Sequence, residues 1–281
     1  MPRTQRRAAP HVRGGCVAEL DLDALRAGLE AAVLAAADAI REVLTQDRIL
    51  VGHKHGQGPV TEADHAADDV LHARLMPLVG GAQWLSEESR QIAPLLHGEP
   101  TWVVDPLDGT REFLRGLPEF GVSVALFVDD RLALGALALP AQRELFSGLL
   151  DGQRREARRN GKPIAALPGG GEVRRVVVSR HDYERRGLQH QIPYDVYPCG
   201  SAAVKLAHLV EGRADVYFSS GPRSVWDVAG GAAVLRAAGG ELVGYGGDPL
   251  ALSPRRVRVP PYAAGARAAC VTLLRKLGAA F

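Results

Sequence analysis

The chain has 281 residues, 46% of them hydrophobic, enough for one large layered domain or two smaller ones with an ample core. Its 34 basic residues against 32 acidic ones leave a net charge of +2, too weak a bias for a nucleic-acid or membrane partner. No stretch approaches the ~20 apolar residues that span a bilayer, and the widely spaced Cys16, Cys199 and Cys270 supply neither a disulfide frame nor a paired zinc motif, so a soluble cytoplasmic protein is expected.

Residues 1–18 carry Arg3, Arg6, Arg7 and Arg13 and no acid, which reads as a loosely ordered basic arm without the apolar core of a secretory signal. Leu22, Leu25, Leu29, Val33, Ala36, Ile40 and Val43 then recur at spacings of three and four, predicting one face of a long helix. The stretch "VGHKHGQGP" reads as a loop in which His53 and His55 are solvated, and Thr61 as the N-cap of a second helix through Val70, Leu71 and Leu75. Residues 84–85, 102–104 and 121–128 are apolar runs that predict strands, the last feeding an Asp-Asp turn. "RLALGALALP" and "RELFSGLL" extend the pattern, and the basic "RREARRNGKP" is expected at a solvated hairpin tip.

Residues 19–165 thus read as an N-terminal α+β half, two helices followed by an antiparallel-rich sheet. "ALPGGGEVRR" reads as the linker, and residues 175–281 as a C-terminal α/β half. In it, strands at 176–178, 195–197 and 216–218 alternate with helices at 202–210 and 225–238, the first capped by Ser201.

Chemistry concentrates in "WVVDPLDGT". A strand delivers Asp105, Pro106 breaks it, and Pro and Gly favour a tight turn from which Asp105 and Asp108 project on one side. Carboxylates held so close repel unless a cation lies between them. Asp64 in "VTEAD", Glu87 and Glu88 in "LSEES" and Asp227 in "SVWDVAGG" all stand at element ends, and together with Asp105 and Asp108 they are expected to converge. Singly, each has a plainer reading: Thr61 with Asp64 as a capping box, Glu87 and Glu88 as an exposed strand end, Asp227 as a helix-dipole partner. A helix beginning at Gly109 and Thr110 would turn backbone N–H groups toward an anion such as phosphate. Oxygen ligands beside a phosphate pocket favour Mg²⁺ and, with it, phosphate-ester hydrolysis.

"DPLDGTREF" and "WDVAGGAAVLRAAGG", preceded by "GPVTEAD" and "LSEE", resemble the signature motifs of the inositol monophosphatase superfamily of metal-dependent phosphatases. The resemblance spans roughly residues 20–250 and implies a layered αβαβα sandwich. It implies two or three Mg²⁺ ions held by Glu87, Asp105, the Leu107 carbonyl, Asp108 and Asp227, with Asp105 bridging. Catalytic work would fall to Asp64, Glu87 and Thr110, the first and last handling the attacking water, and the Gly109 and Thr110 N–H groups would hold the scissile phosphate. Glu87, Leu107, Asp108 and Asp227 would also border the substrate.

"DGTREF", "SGPRSVWD" and Lys205 are similar to the CysQ branch, which implies removal of the 3′-phosphate of adenosine 3′,5′-bisphosphate, with Lys205 and Arg180 supplying cations for the second phosphate. The chain departs from that branch in reading Ser-Arg-His at 179–181, Arg223 for a Thr and Gly56 for an Asp. The alternatives are an inositol or broad sugar phosphatase and, from another class, a non-catalytic anion-binding protein. The implied partner is a small phosphate ester, in an assembly that allows a homodimer.

Overall fold

The computed structural model describes residues 20–46, 49–54, 58–89 and 94–278. The basic arm, Cys16, the side chains of His53 and Lys54, and residues His55 and Gly56 lie outside that description.

Helix α1 (Leu22–Leu44) is started by Asp21, whose carboxylate accepts the backbone N–H groups of Asp23 and Ala24, and it buries the predicted stripe from Leu25 to Val43. The stretch 51–59, expected as a loop, instead contributes β1 (Val51–Lys54) and the start of β2 (Gly58–Thr61), which pair antiparallel with Val51 opposite Thr61 and Lys54 opposite Gly58. Helix α2 (Glu62–Leu75) follows, opened by a Thr61/Asp64 capping box.

The strands β3 (Gln83–Ser86) and β4 (Thr101–Asp108) then pair in parallel. After the short α3 (Thr110–Leu114) come β5 (Gly121–Val128), β6 (Arg131–Leu139), β7 (Glu144–Asp151), β8 (Arg154–Arg159) and β9 (Lys162–Pro163), all antiparallel, completing a seven-stranded sheet in chain order. The basic cluster is therefore mostly strand β8 and not a hairpin tip; only Asn160 and Gly161, both at positive φ, turn the chain. Arg154 and Arg159 find acids on other elements, Asp23 at 2.6 Å and Glu211 at 2.9 Å, and Arg158 pairs with Glu156 of the same strand, while Arg155 stays exposed.

Beyond residue 174 the chain builds a second sheet: β10 (Arg175–Ser179), α4 (Arg180–Arg186), β11 (Asp195–Cys199), α5 (Ala202–Val210), β12 (Val216–Ser219), β13 (Arg223–Ser224), α6 (Val225–Ala237), β14 (Glu241–Gly244), β15 (Arg258–Val259), β16 (Tyr262–Gly265) and α7 (Arg267–Leu277). Five strands run in the order β11-β10-β12-β16-β14, while β13 and β15 pair by themselves.

Side-chain alternation along the strands sorts the core into layers. Trp102, Val104, Val122 and Val124 face α1 and α2. Val103, Ala125 and Leu137 face α5 and α6, which also cover Val177, Tyr217 and Tyr262 of the second sheet. Val176, Val178 and Phe218 face outward beneath α7, against Ala269, Cys270 and Leu273. The result is the expected αβαβα sandwich.

Small residues along the contact let helix α6 approach the first sheet closely. A Cβ on Gly230 would come within 2.7 Å of Ser123 Oγ and 2.8 Å of Val124 N. Ser123 Oγ donates to the Trp226 carbonyl at 3.0 Å, which fixes the start of α6 over β5.

Candidate active site

On a regular strand, residues three apart face opposite sides. Asp105 and Asp108 escape this because β4 carries a bulge: Asp105 pairs with Ser123 and Asp108 with Gly121, so three steps of β4 answer two of β5. Pro106 sits inside the bulge, where a missing N–H disturbs no ladder bond. Both carboxylates consequently border one cleft of about 490 Å³. Gly109 follows at φ +96°, and a Cβ there would meet the Glu119 carbonyl at 2.6 Å, so glycine alone makes the turn into α3.

Glu87 arrives from the neighbouring strand. Its N–H donates to the Val104 carbonyl at 3.0 Å, extending the β3–β4 pairing by one step and setting Glu87 beside Asp105. Asp227 occupies the first turn of α6, where one oxygen accepts the Ser224 N–H at 3.2 Å. Carboxylate oxygens of Glu87, Asp105 and Asp227 lie within 4.8 Å of one another.

The electrostatics of this trio suit a cation. Burial, then the charges of Glu87, Asp108 and Asp227, drive the Asp105 carboxyl well above its ordinary range. Burial, then Asp108 and Glu87, push Asp227 up to about 7 despite the attraction of Arg223. Carboxylates so arranged ionise together only when a cation compensates them, and an all-oxygen donor set suits a hard divalent ion.

Asp108 stands beside the trio, with Oδ2 accepting Ser201 Oγ and the Ala203 N–H, each at 2.6 Å, at the start of α5. Asp64 is buried and held twice by Thr61, through its N–H at 2.7 Å and its hydroxyl at 2.6 Å. The other Asp64 oxygen accepts from Thr110 Oγ1 at 3.0 Å, and the Leu107 carbonyl lies 3.1 Å from the same hydroxyl. The capping box read from the sequence is real, and it also orients a polar pair at the edge of the cleft.

The two expected substrate cations are placed differently. Arg180 lines the cleft, with one guanidinium nitrogen bonded to both oxygens of Glu119 at 2.6 and 2.7 Å. Lys205 does not reach the cleft as a free cation. It is 1% exposed, and its ammonium donates to the carbonyls of Cys199, Gly200 and Ser201 at 2.9, 2.9 and 2.7 Å, over the ring of Tyr217. All three of its N–H donors are consumed in bracing the 199–201 turn, so a direct contact with a second phosphate is corrected to a structural role behind Asp108.

Several neighbours of the site went unread in the sequence. Glu119 accepts the Gly200 N–H at 2.8 Å and so links Arg180 to the same turn, and no local pattern marks it. Glu112, held above its ordinary pKa chiefly by burial, borders the cleft from α3. Ser201 caps α5 as expected, but its hydroxyl also serves Asp108.

The inositol monophosphatase family profile matches residues 21–276. Inositol monophosphatase 3 of Solanum lycopersicum is 33% identical over 220 residues, 74% of this chain and 81% of the relative. The 3′(2′),5′-bisphosphate nucleotidase CysQ of Escherichia coli K12 is 32% identical over 235 residues, 80% of this chain and 93% of the relative. Among solved structures, the extragenic suppressor protein suhB of Bartonella henselae superposes with a TM-score of 0.76 at 23% identity, covering 92% of this chain and all of that one. With the layered fold and the acidic cluster in place, these matches show that the chain belongs to the inositol monophosphatase family of metal-dependent phosphatases.

Proposed function

We propose that the protein is a Mg²⁺-dependent 3′(2′),5′-bisphosphate nucleotidase that hydrolyses the 3′-phosphate of adenosine 3′,5′-bisphosphate to AMP and phosphate. The observation that carries this reading is the make-up of one cleft: the carboxylate cluster shares its walls with five arginines, Arg111, Arg115, Arg180, Arg185 and Arg223. With cations offsetting the cluster, the arginines of this wall that have no acidic partner among the described residues, Arg111, Arg115 and Arg185, leave positive charge for a second phosphate. CysQ of E. coli, named as a bisphosphate nucleotidase, is among the relatives.

In this reading Glu87, Asp105, Asp108, Asp227 and the Leu107 carbonyl hold the metal. Two or three Mg²⁺ ions held there would supply the charge that makes the attacking water more acidic and offsets the leaving oxygen and the phosphoryl group. Thr110 and Asp64 prepare the water. The Thr110 hydroxyl has one proton and two acceptors in reach, Asp64 Oδ1 and the Leu107 carbonyl, so its lone pairs remain to accept a hydrogen bond from water. Asp64, fixed by Thr61 on its other oxygen, takes up the proton that the water sheds. As the water oxygen bonds to phosphorus, the 3′ oxygen leaves and takes up a proton from solvent to become the 3′-hydroxyl of AMP. Gly109 and Thr110, at the start of α3, offer backbone N–H groups to the phosphate oxygens.

No helix among the described residues is long and apolar enough to cross a membrane, and Cys199 and Cys270 are free, buried thiols, which supports placing the enzyme in the cytoplasm. An inositol monophosphatase is the second reading, favoured by the tomato relative at similar identity. Phosphate release by the purified protein with Mg²⁺ separates the two. A higher kcat/KM on adenosine 3′,5′-bisphosphate than on inositol 1-phosphate supports the nucleotidase, and the reverse order refutes it.

A further inference from the structure

The five arginines of the cleft are not equivalent. Arg180 is spoken for by Glu119, and the two other acids of that wall also lean on it, Glu184 at 3.8 Å and Glu112 at 3.9 Å. Arg223 donates to Ser219 Oγ at 3.1 Å and faces buried Asp182 at 4.0 Å. Arg111, Arg115 and Arg185 are exposed, line the same cleft, and have no acidic partner among the described residues. Arg111 in the first turn of α3 and Arg115 at its C-cap are four residues apart, hence on one face and separated by about 6 Å of helix rise. Arg185 comes from α4, on another wall of the cleft.

From this placement we propose that Arg111, Arg115 and Arg185 form a second anion subsite, which binds the phosphate that is not cleaved. The proposal rests on the bisphosphate reading above and assigns the residues that read the second phosphate. The chemistry suits the guanidinium group, whose planar fork meets phosphate oxygens in pairs and stays charged at any working pH. The bound Arg180 and Arg223 shape the wall, whereas the three free arginines can turn onto a ligand without breaking an existing bond. The subsite replaces Lys205 as the source of the second cation.

The test compares adenosine 3′,5′-bisphosphate with adenosine 3′-monophosphate, which presents the same scissile bond and no second phosphate. Wild type, Arg111→Gln, Arg115→Gln, Arg185→Gln and the triple variant are assayed with Mg²⁺ at two salt concentrations, and folding is checked by thermal unfolding. Wild type is expected to favour the bisphosphate, a preference that weakens with salt, and the triple variant to lose roughly ten- to a hundredfold of that preference. A wild-type preference that survives in the folded triple variant overturns the subsite and leaves the nucleotidase reading standing. Absence of any wild-type preference overturns both.

Discussion

Replacing Asp227 by Asn should make the metal-free protein more stable while ruining the enzyme. The Asp227 carboxyl titrates at about 7 in the fold against 3.8 as the reference, so protonated Asp227 favours the folded state. Its contribution is fully present below pH 3.8 and is lost as the pH rises through about 7, after which the folded protein carries an unrelieved charge. At about 1.4 kcal/mol per pKa unit, the full shift corresponds to about 4 kcal/mol. Asp227 keeps some exposure to the cleft, so we take half of that, about 2 kcal/mol, as the expected gain near pH 8. Asn can still accept the Ser224 N–H that caps α6, so the substitution removes charge without removing the cap. For a chain of this size about 2 kcal/mol raises Tm by roughly 4–8 °C. Thermal unfolding in EDTA from about pH 5 to about pH 8 measures it, and the advantage should grow with pH. With saturating Mg²⁺ the order should reverse, since wild type alone gains the full binding energy, about 2.7 kcal/mol at a hundredfold excess over Kd. A variant no more stable than wild type near pH 8 without metal, or stabilised equally at every pH, would refute the electrostatic account of the cluster.

Thr110→Val keeps shape but deletes the hydroxyl between Asp64 and the Leu107 carbonyl; kcat should fall by about 10²–10⁴-fold with Tm little changed, and Thr110→Ser should restore part of it. A Val variant with near-normal kcat removes Thr110 from water activation. Lys205→Met strands three carbonyls and should cost about 2–4 kcal/mol in urea unfolding. It should also raise the Mg²⁺ concentration needed for half activity, because the loosened turn carries Ser201 away from Asp108; normal Mg²⁺ dependence with a loss confined to the bisphosphate would return Lys205 to the substrate.

The sequence was most legible where a signal is local. The stripe of α1, the Thr61/Asp64 box and the Ser201 cap are written within a few turns of chain, and each forms as read. The motif "DPLDGT" announced two aspartates on one side, and the structure achieves this by a bulge whose cause, a register slip against Ser123 and Gly121, lies on another strand. Signals that depend on distant partners were lost. Arg154 and Arg159 of β8 looked solvated because their partners Asp23 and Glu211 are far away in sequence. Lys205 looked like a free cation on a helix because nothing in "GSAAVK" says that the carbonyls of residues 199–201 curl back onto it.

The same distinction explains how the fold tolerates its acidic cluster. The Asp carboxylates are fixed by bonds that do not depend on the others, Asp227 by the cap of α6, Asp108 by Ser201 and Ala203, Asp105 by the Leu107 N–H at 3.1 Å, and the backbone of Glu87 is set by its step onto Val104. Those anchors belong to elements clamped elsewhere, α6 by the close approach of Gly230 to β5 and α5 by the braced turn that holds Lys205. Repulsion among the aspartates therefore cannot relax by moving one of them without disturbing these anchors. It can be relieved by protonation, as the raised Asp105 and Asp227 values express, or by a cation. If metal binds there as proposed, a site preorganised in this way would spend little of the metal's binding energy on rearrangement, so loss of the brace at Lys205 should register in Mg²⁺ dependence before it registers in the proposed roles of Thr110 and Asp64.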